Sequence, residues 1–115
     1  MNMYMSKKET PSYENESVND LIIYGIYRIS QGSEDCTFER LVKECFTLFS
    51  NVFSFVSYSN WPDSRKLDRP LRQLRKEKII TGDPKTSFIL TKLGKDTAMV
   101  IEKRLRQAKL NLYNH

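Results

Sequence analysis

Arg65, Lys66, Arg69, Arg72, Gln73 and Lys76 put five long cations and one amide into twelve consecutive positions. Guanidinium and ammonium groups meet phosphate oxygens. Arginine and glutamine also make paired hydrogen bonds to base edges in a major groove. Leu67, Leu71 and Leu74 recur through the same stretch at helical spacing. With Leu71 at zero and about 100° per residue, Leu67 falls near −40° and Leu74 near −60°. The six polar side chains fall between about 100° and 220°, opposite the leucines. Asp68 and Arg75 lie at the border, and Asp68 stands four residues before Arg72, in position to pair with it. Lys85, in the turn sequence "GDPKT", suits a phosphate contact, and it equally suits an ordinary turn lysine.

The elements that must hold these residues follow from local signals. Ser17 with Asp20 three residues on reads as the start of a first helix, whose face is Ile22, Ile26 and Ile29, widened by Ile23 and Tyr27. Gly25 inside it suits close packing on a neighbouring helix, and Gly32 is the expected C-cap. Thr37 suits the N-cap of a second helix carrying Phe38, Val42, Cys45 and Phe49. "NVFSFVSY" is rich in strand-formers, and alternation at Phe53 and Phe55 predicts a short strand. A third helix is expected over about 64–77, capped by Asp63 or Ser64, with Pro70 as a local cost inside it. Ile79 and Ile80 open a strand, Asp83 and Pro84 suit a type I turn, and Phe88 and Leu90 share one face of the returning strand. Thr91 suits the cap of a last helix with Leu93, Thr97, Ile101, Leu105, Ala108 and Leu112 along one side.

Helix, helix, strand, helix, β-hairpin, helix is the order of a winged helix-turn-helix: mainly α, with a three-helix core, a wing around 82–86 and an additional C-terminal helix. "DSRKLDRPLRQLRKEKII" resembles the recognition helix of bacterial and archaeal winged-helix regulators, ending in Leu-x-x-Leu, charged residues and paired aliphatics. "TSFILTKLGKDTA" resembles their second wing strand and the Leu-Thr-x-x-Gly start of the last helix. The resemblance covers roughly residues 18 to 105. It departs at Pro70, where such helices usually carry a helix former, and in the long connection before the third helix. It implies a regulator that binds double-stranded DNA through Arg65, Lys66, Arg69, Arg72, Gln73, Lys76 and Lys85. The competing expectation is a winged-helix module that holds a protein in a larger assembly.

Composition agrees with a single domain. The chain has 115 residues, and 39% hydrophobic with 29% charged residues fits a folded domain better than a disordered one. The net charge is +5, but residues 1–58 hold five Lys or Arg against eight Asp or Glu. All of the excess positive charge therefore lies beyond Tyr58, on one part of the molecule. Residues 1–16 read as a disordered tail, without the apolar core of a signal peptide, before a domain over 17–112. No apolar run is long enough for a membrane span. Cys36 and Cys45 match no zinc, redox or disulfide-rich pattern, which points to a reducing cytoplasm and to small buried hydrophobes.

Enzyme chemistry has little to build on. The single histidine is His115, at the end of the chain, and there is no Gly-rich phosphate loop, metal-ligand cluster or nucleophile motif. No cofactor is expected. Glu34, Asp35 and Glu39 cluster at a helix start, where the helix dipole accounts for them. The phenylalanines read as core, and Trp61, before Pro62, reads better as a cover over the core edge than as a stacking surface. The stripe Leu93, Ile101, Leu105 and Leu112 suits a homodimer through the C-terminal helix, an arrangement that two-fold DNA readers use.

Overall fold

The computed structural model describes residue 13 and residues 15–113, with side chains as far as residue 110. Most of the span read as a tail lies outside the described residues. Within it, the Tyr13 ring meets Phe49 edge-on at 4.8 Å, and Glu16 accepts from Arg104 at 2.8 and 3.1 Å.

Helix α1 (Val18–Ser30) begins where the Ser17 hydroxyl accepts the Asp20 N–H at 3.1 Å. It is the centre of the molecule and packs against α2 (Phe38–Leu48), α4 (Arg65–Lys76), α5 (Lys92–Tyr113) and strand β2 (Ile89–Leu90). Leu21, Ile22 and Ile26 are fully enclosed as a result. Gly25 serves the close approach expected of it, since a Cβ there would lie 3.1 Å from Cys45 Sγ and 3.4 Å from Leu41 Cδ1. The C-cap is Gln31 in a right-handed conformation, so Gly32 is not the cap. The helix closes through N–H bonds from Gln31 and Gly32 to carbonyls of the last turn and needs no left-handed residue.

Thr37 caps α2, accepting the Arg40 N–H at 3.2 Å. The strand expected after it is absent. Ser50–Phe53 forms a one-turn helix, α3, and only Ser54 makes an isolated bridge, to Pro62. Phe49 and Phe53 are four residues apart and both buried, and a helical turn puts such a pair on one side of the chain. Beyond it, residues 54–64 form the long connection to α4.

Helix α4 begins at Arg65 and carries Pro70 in its interior, and Leu67, Leu71 and Leu74 are all buried along one edge. Burying each leucine contributes roughly 1.5–3 kcal/mol, which outweighs the single hydrogen bond lost at Pro70. The helix ends in a Schellman arrangement. Ile79 N–H donates to Leu74 O, Lys78 N–H donates to Arg75 O, and Lys78 takes a φ of 61°.

Strand β1 (Ile80–Thr81) pairs antiparallel with β2, Ile80 opposite Leu90 and Thr81 opposite Ile89. The hairpin turn is the one expected at Asp83 and Pro84, with Thr86 N–H donating to Asp83 O at 3.0 Å. Gly82 has a φ of 100°, and a Cβ there would fall 1.9 Å from Ser87 O. Phe88 and Leu90 turn inward while Ile89 stays exposed. Phe88 N–H also reaches Cys36 O, so the α1–α2 connection borders the hairpin.

Thr91 starts α5 by accepting the Gly94 N–H at 3.1 Å, and its own hydroxyl points to Lys78 O at 2.7 Å. The expected side of this helix holds at Thr97, Ile101, Leu105 and Ala108 and fails at its start, Leu93. Gly94, Ala98 and Ile101 are buried and Leu105 is half-buried, whereas Leu93 is 54% exposed. Small residues let α5 approach closely: a Cβ on Gly94 would sit 2.2 Å from Ile79 O. Ile101 and Leu105 thus face the core of their own protomer, and the side chain of Leu112 lies outside the described residues. The fold is mainly helical with one small hairpin. Among the described residues no helix is long and apolar enough to cross a membrane.

Two glycine substitutions separate these roles. Gly94→Ala should destabilise the protein by roughly 3 kcal/mol in urea unfolding, because a backbone carbonyl must move. Gly25→Ala should stay within about 1 kcal/mol of wild type, since helix propensity gains offset a contact with the end of a side chain.

Candidate nucleic-acid interface

The buried leucine edge leaves the opposite face of α4 in solvent. Arg69, Arg72, Gln73, Lys76 and Glu77 line a shallow groove of about 480 Å³ on it. Gln73 donates to Glu77 Oε2 at 2.9 Å, which occupies the one carboxylate in the groove. Among the described residues no carboxylate lies within ion-pair distance of Arg69, Arg72 or Lys76. The Asp68–Arg72 pair expected from their spacing does not form. Both side chains are exposed, and such an ion pair in water is worth little against the side-chain entropy it restricts.

Several other cations of the fold are engaged, while Lys43, Lys78, Lys95, Lys103 and Lys109 have no carboxylate within ion-pair distance among the described residues. Arg40 binds Glu34 at 3.0 Å and Glu44 at 2.8 Å, Arg104 binds Glu16 and Asp20, and Arg106 lies 3.6 Å from Glu102. Hydrogen bonds from Arg40 to Glu34 and then Glu44 raise its affinity for the proton further. A second hollow, of about 360 Å³, is lined by Tyr24, Arg28, Phe49, Glu102 and Leu105 among others, but acids lie beside its arginines. The α4 groove brings three cations without a carboxylate partner, Arg69, Arg72 and Lys76, into one hollow.

Two expected members of the set do other work. Lys66 is half-buried and its ammonium donates to Val52 O at 3.1 Å and Ser54 O at 2.8 Å, so it holds the connection before α4. Its stem follows the border of the helix face, long enough for the charge to turn back onto free carbonyls that the broken strand leaves. Arg65 is fixed by Asp63, with Nε to Oδ1 at 2.9 Å and Nη2 to Oδ2 at 3.0 Å, and its guanidinium lies over the Phe55 ring at 5.1 Å from the centroid. Its side chain is still 74% exposed, so part of the group faces outward. Asp63 also accepts the Arg65 N–H at 3.1 Å and so caps the helix from one residue before Ser64.

Arg75, at the border, donates from Nη1 to Gly82 O at 3.0 Å and ties helix to hairpin. Lys85 is exposed at the hairpin turn, where its backbone N–H donates to Asp83 Oδ1 at 2.8 Å and leaves its ammonium to solvent. Sequence reasoning missed the loop between Ser54 and Pro62. Val56, Tyr58 and Trp61 are 93%, 59% and 58% exposed there, so Trp61 does not cover the core. The Tyr58 and Trp61 rings stack at 4.9 Å and 17° instead. The absence of any charge from Ser54 to Pro62 was the available signal.

Among the described residues no group of three or more His, Cys, Asp or Glu is placed to hold a metal ion. Cys36 and Cys45 are buried free thiols, and burial raises both, Cys36 to about 12. Thiols held so far from ionisation are poor nucleophiles at neutral pH.

The Asp63–Arg65 pair gives stability a pH dependence of known sign. The hydrogen bond from Arg65 holds the Asp63 carboxyl below its ordinary value of 3.8. A carboxylate depressed on folding contributes stability above its unfolded pKa and loses it as pH falls through the folded one. Asp63→Asn should therefore be less stable than wild type at pH 7, and thermal melts should show the gap closing as pH falls below the ordinary carboxylate range. A gap of equal size at both ends would mean that the charge is not involved. A scan against family models finds no match for the chain, and searches of curated proteins and of solved structures find none either, so the geometry of α4 and its surroundings carries the functional reading.

Proposed function

We propose that the protein is a winged-helix DNA-binding protein, a transcriptional regulator that reads duplex DNA with α4 and steadies itself through the hairpin. The observation that carries this is the groove of unpaired Arg69, Arg72 and Lys76 on a helix whose other edge is locked into the core. Exposed arginines without a carboxylate partner, on a helix whose orientation is set, suit bidentate contacts to guanine or phosphate. The hairpin places Lys85 on the turn that would approach a neighbouring phosphate. Lys66 leaves the contact set and becomes the brace of the connecting loop, and Arg65 keeps a partial role.

The test is duplex selection from a random library, followed by binding across a salt series. Arg69→Glu should weaken binding by about 1–3 kcal/mol or more and keep the fold, since the leucine edge is untouched. Lys85→Ala should weaken all sequences alike and lower the salt slope by about one. Folded Arg69→Glu protein that binds as well as wild type would remove α4 as the reading head and favour a protein-holding module.

A paired reader is part of the proposal, on a different stripe from the one the sequence suggests. Leu93, Met99, Val100 and Leu110 are each at least half exposed, and on a helical wheel they share a sector of about 120° opposite the buried side. Asp96 and Lys103 fall in that sector and are exposed. An antiparallel pairing of two copies centred between Met99 and Val100 sets Asp96 of one, which lies 3.5 Å from its own Lys92, against Lys103 of the other. Light scattering should find a dimer at micromolar concentration and a monomer for Val100→Asp. A wild-type monomer, with and without DNA, would refute the pairing.

A further inference from the structure

The loop ahead of α4 is uncharged from Ser54 to Pro62, exposes Val56, Tyr58 and Trp61 and is tied by backbone hydrogen bonds. Phe55 N–H donates to Trp61 O at 3.1 Å, Trp61 N–H donates to Tyr58 O at 3.0 Å, and Asp63 N–H donates to Phe53 O at 2.7 Å. The Ser54–Pro62 bridge and the Lys66 ammonium close its base. Tyr58 and Trp61 stack on each other, and their exposure leaves the outer faces to solvent. Burying those rings in the core would have removed apolar area from water, and the loop holds them out instead. The Arg65 guanidinium lies over Phe55, whose N–H donates to the Trp61 carbonyl, and Arg69 follows one turn further along α4.

We propose that Tyr58 and Trp61 form a stacking platform for an unpaired nucleobase, so that the protein prefers duplex DNA next to a single-stranded or opened segment. This rests on the reading of α4 as a duplex-binding helix. A nucleobase fits better than an acidic or apolar peptide for two reasons. The platform is aromatic on an already stacked pair, so an added base extends an existing stack. Arg69, unpaired on the helix that the loop leads into, and the exposed part of Arg65 offer the phosphate contacts that accompany stacking in single-strand binding. Ser57, Ser59 and Asn60 add hydroxyl and amide groups for a base edge, and the one carboxylate of the connection, Asp63, is buried and paired with Arg65. The loop is ordered in advance, so little freedom is lost when the base docks.

Trp61 is the only tryptophan, so its fluorescence reports this loop alone. Full-length protein is titrated with a blunt mixed-sequence duplex, the same duplex with an oligothymidine overhang, and oligothymidine alone. Binding is followed by anisotropy of labelled DNA and by tryptophan emission. The overhang duplex should bind about five- to tenfold more tightly than the blunt one and quench Trp61, which the blunt duplex should not do. Trp61→Ala, checked by circular dichroism, should bind the overhang duplex only as well as the blunt one, with blunt affinity unchanged. Tyr58→Ala retains the reporter and should lose most of the quenching. Blunt-duplex binding with no overhang preference and no quenching overturns the platform and leaves the α4 reading standing. Quenching by oligothymidine without blunt-duplex binding supports the platform and overturns the duplex reading. A change of oligomeric state in Trp61→Ala, with all DNA affinities unchanged, makes the loop a protein contact and also overturns the proposal.

Discussion

Three leucines decide where every charge on α4 points. Leu67, Leu71 and Leu74 are buried against the core that α1 organises, and a helix so anchored has no rotational freedom left. Arg69, Arg72 and Lys76 are turned outward by that burial and by no interaction of their own. A rotation that brought even one of them inward would expose a leucine and enclose an unpaired cation, two penalties of the same sign. The connection before the helix and the hairpin after it are then built onto an element whose orientation is already fixed.

The parts of this arrangement that the chain states locally were legible. Ser17, Thr37 and Thr91 each have a hydroxyl that serves an N–H three residues on, so three helix starts could be found from sequence neighbours alone. The leucine edge is a matter of period, and the hairpin turn of Asp83 and Pro84 chemistry. What was not legible depends on where the chain returns in space. Lys66 looks like any cation of its face, and its partners, the Val52 and Ser54 carbonyls, are identified only once the path of the intervening loop is known. Only the start of α5's packed side was misjudged, for a related reason. Hydrophobicity selects Leu93, but Gly94 takes the packed position, because the nearest neighbour is the Ile79 carbonyl and little room remains for a side chain.

The strand expected around Phe53 failed for a reason that applies beyond this chain. Local preference favoured an extended segment, yet among the described residues its pairing stops at the single bridge from Ser54 to Pro62. One helical turn satisfies the backbone and buries Phe49 and Phe53 together. The carbonyls left over at Val52 and Ser54 are the ones that the Lys66 ammonium takes up.

The bond from Arg75 to the Gly82 carbonyl joins the end of α4 to the turn of the hairpin, and only the tight left-handed step at Lys78 separates the two. Helix and hairpin consequently behave as the two jaws of a caliper set to one opening. A duplex bound as proposed would meet both elements at that one spacing. Any polyanion that engages both must offer its charges at that interval. A single residue added between Glu77 and Ile80 would alter the gauge without touching a contact residue.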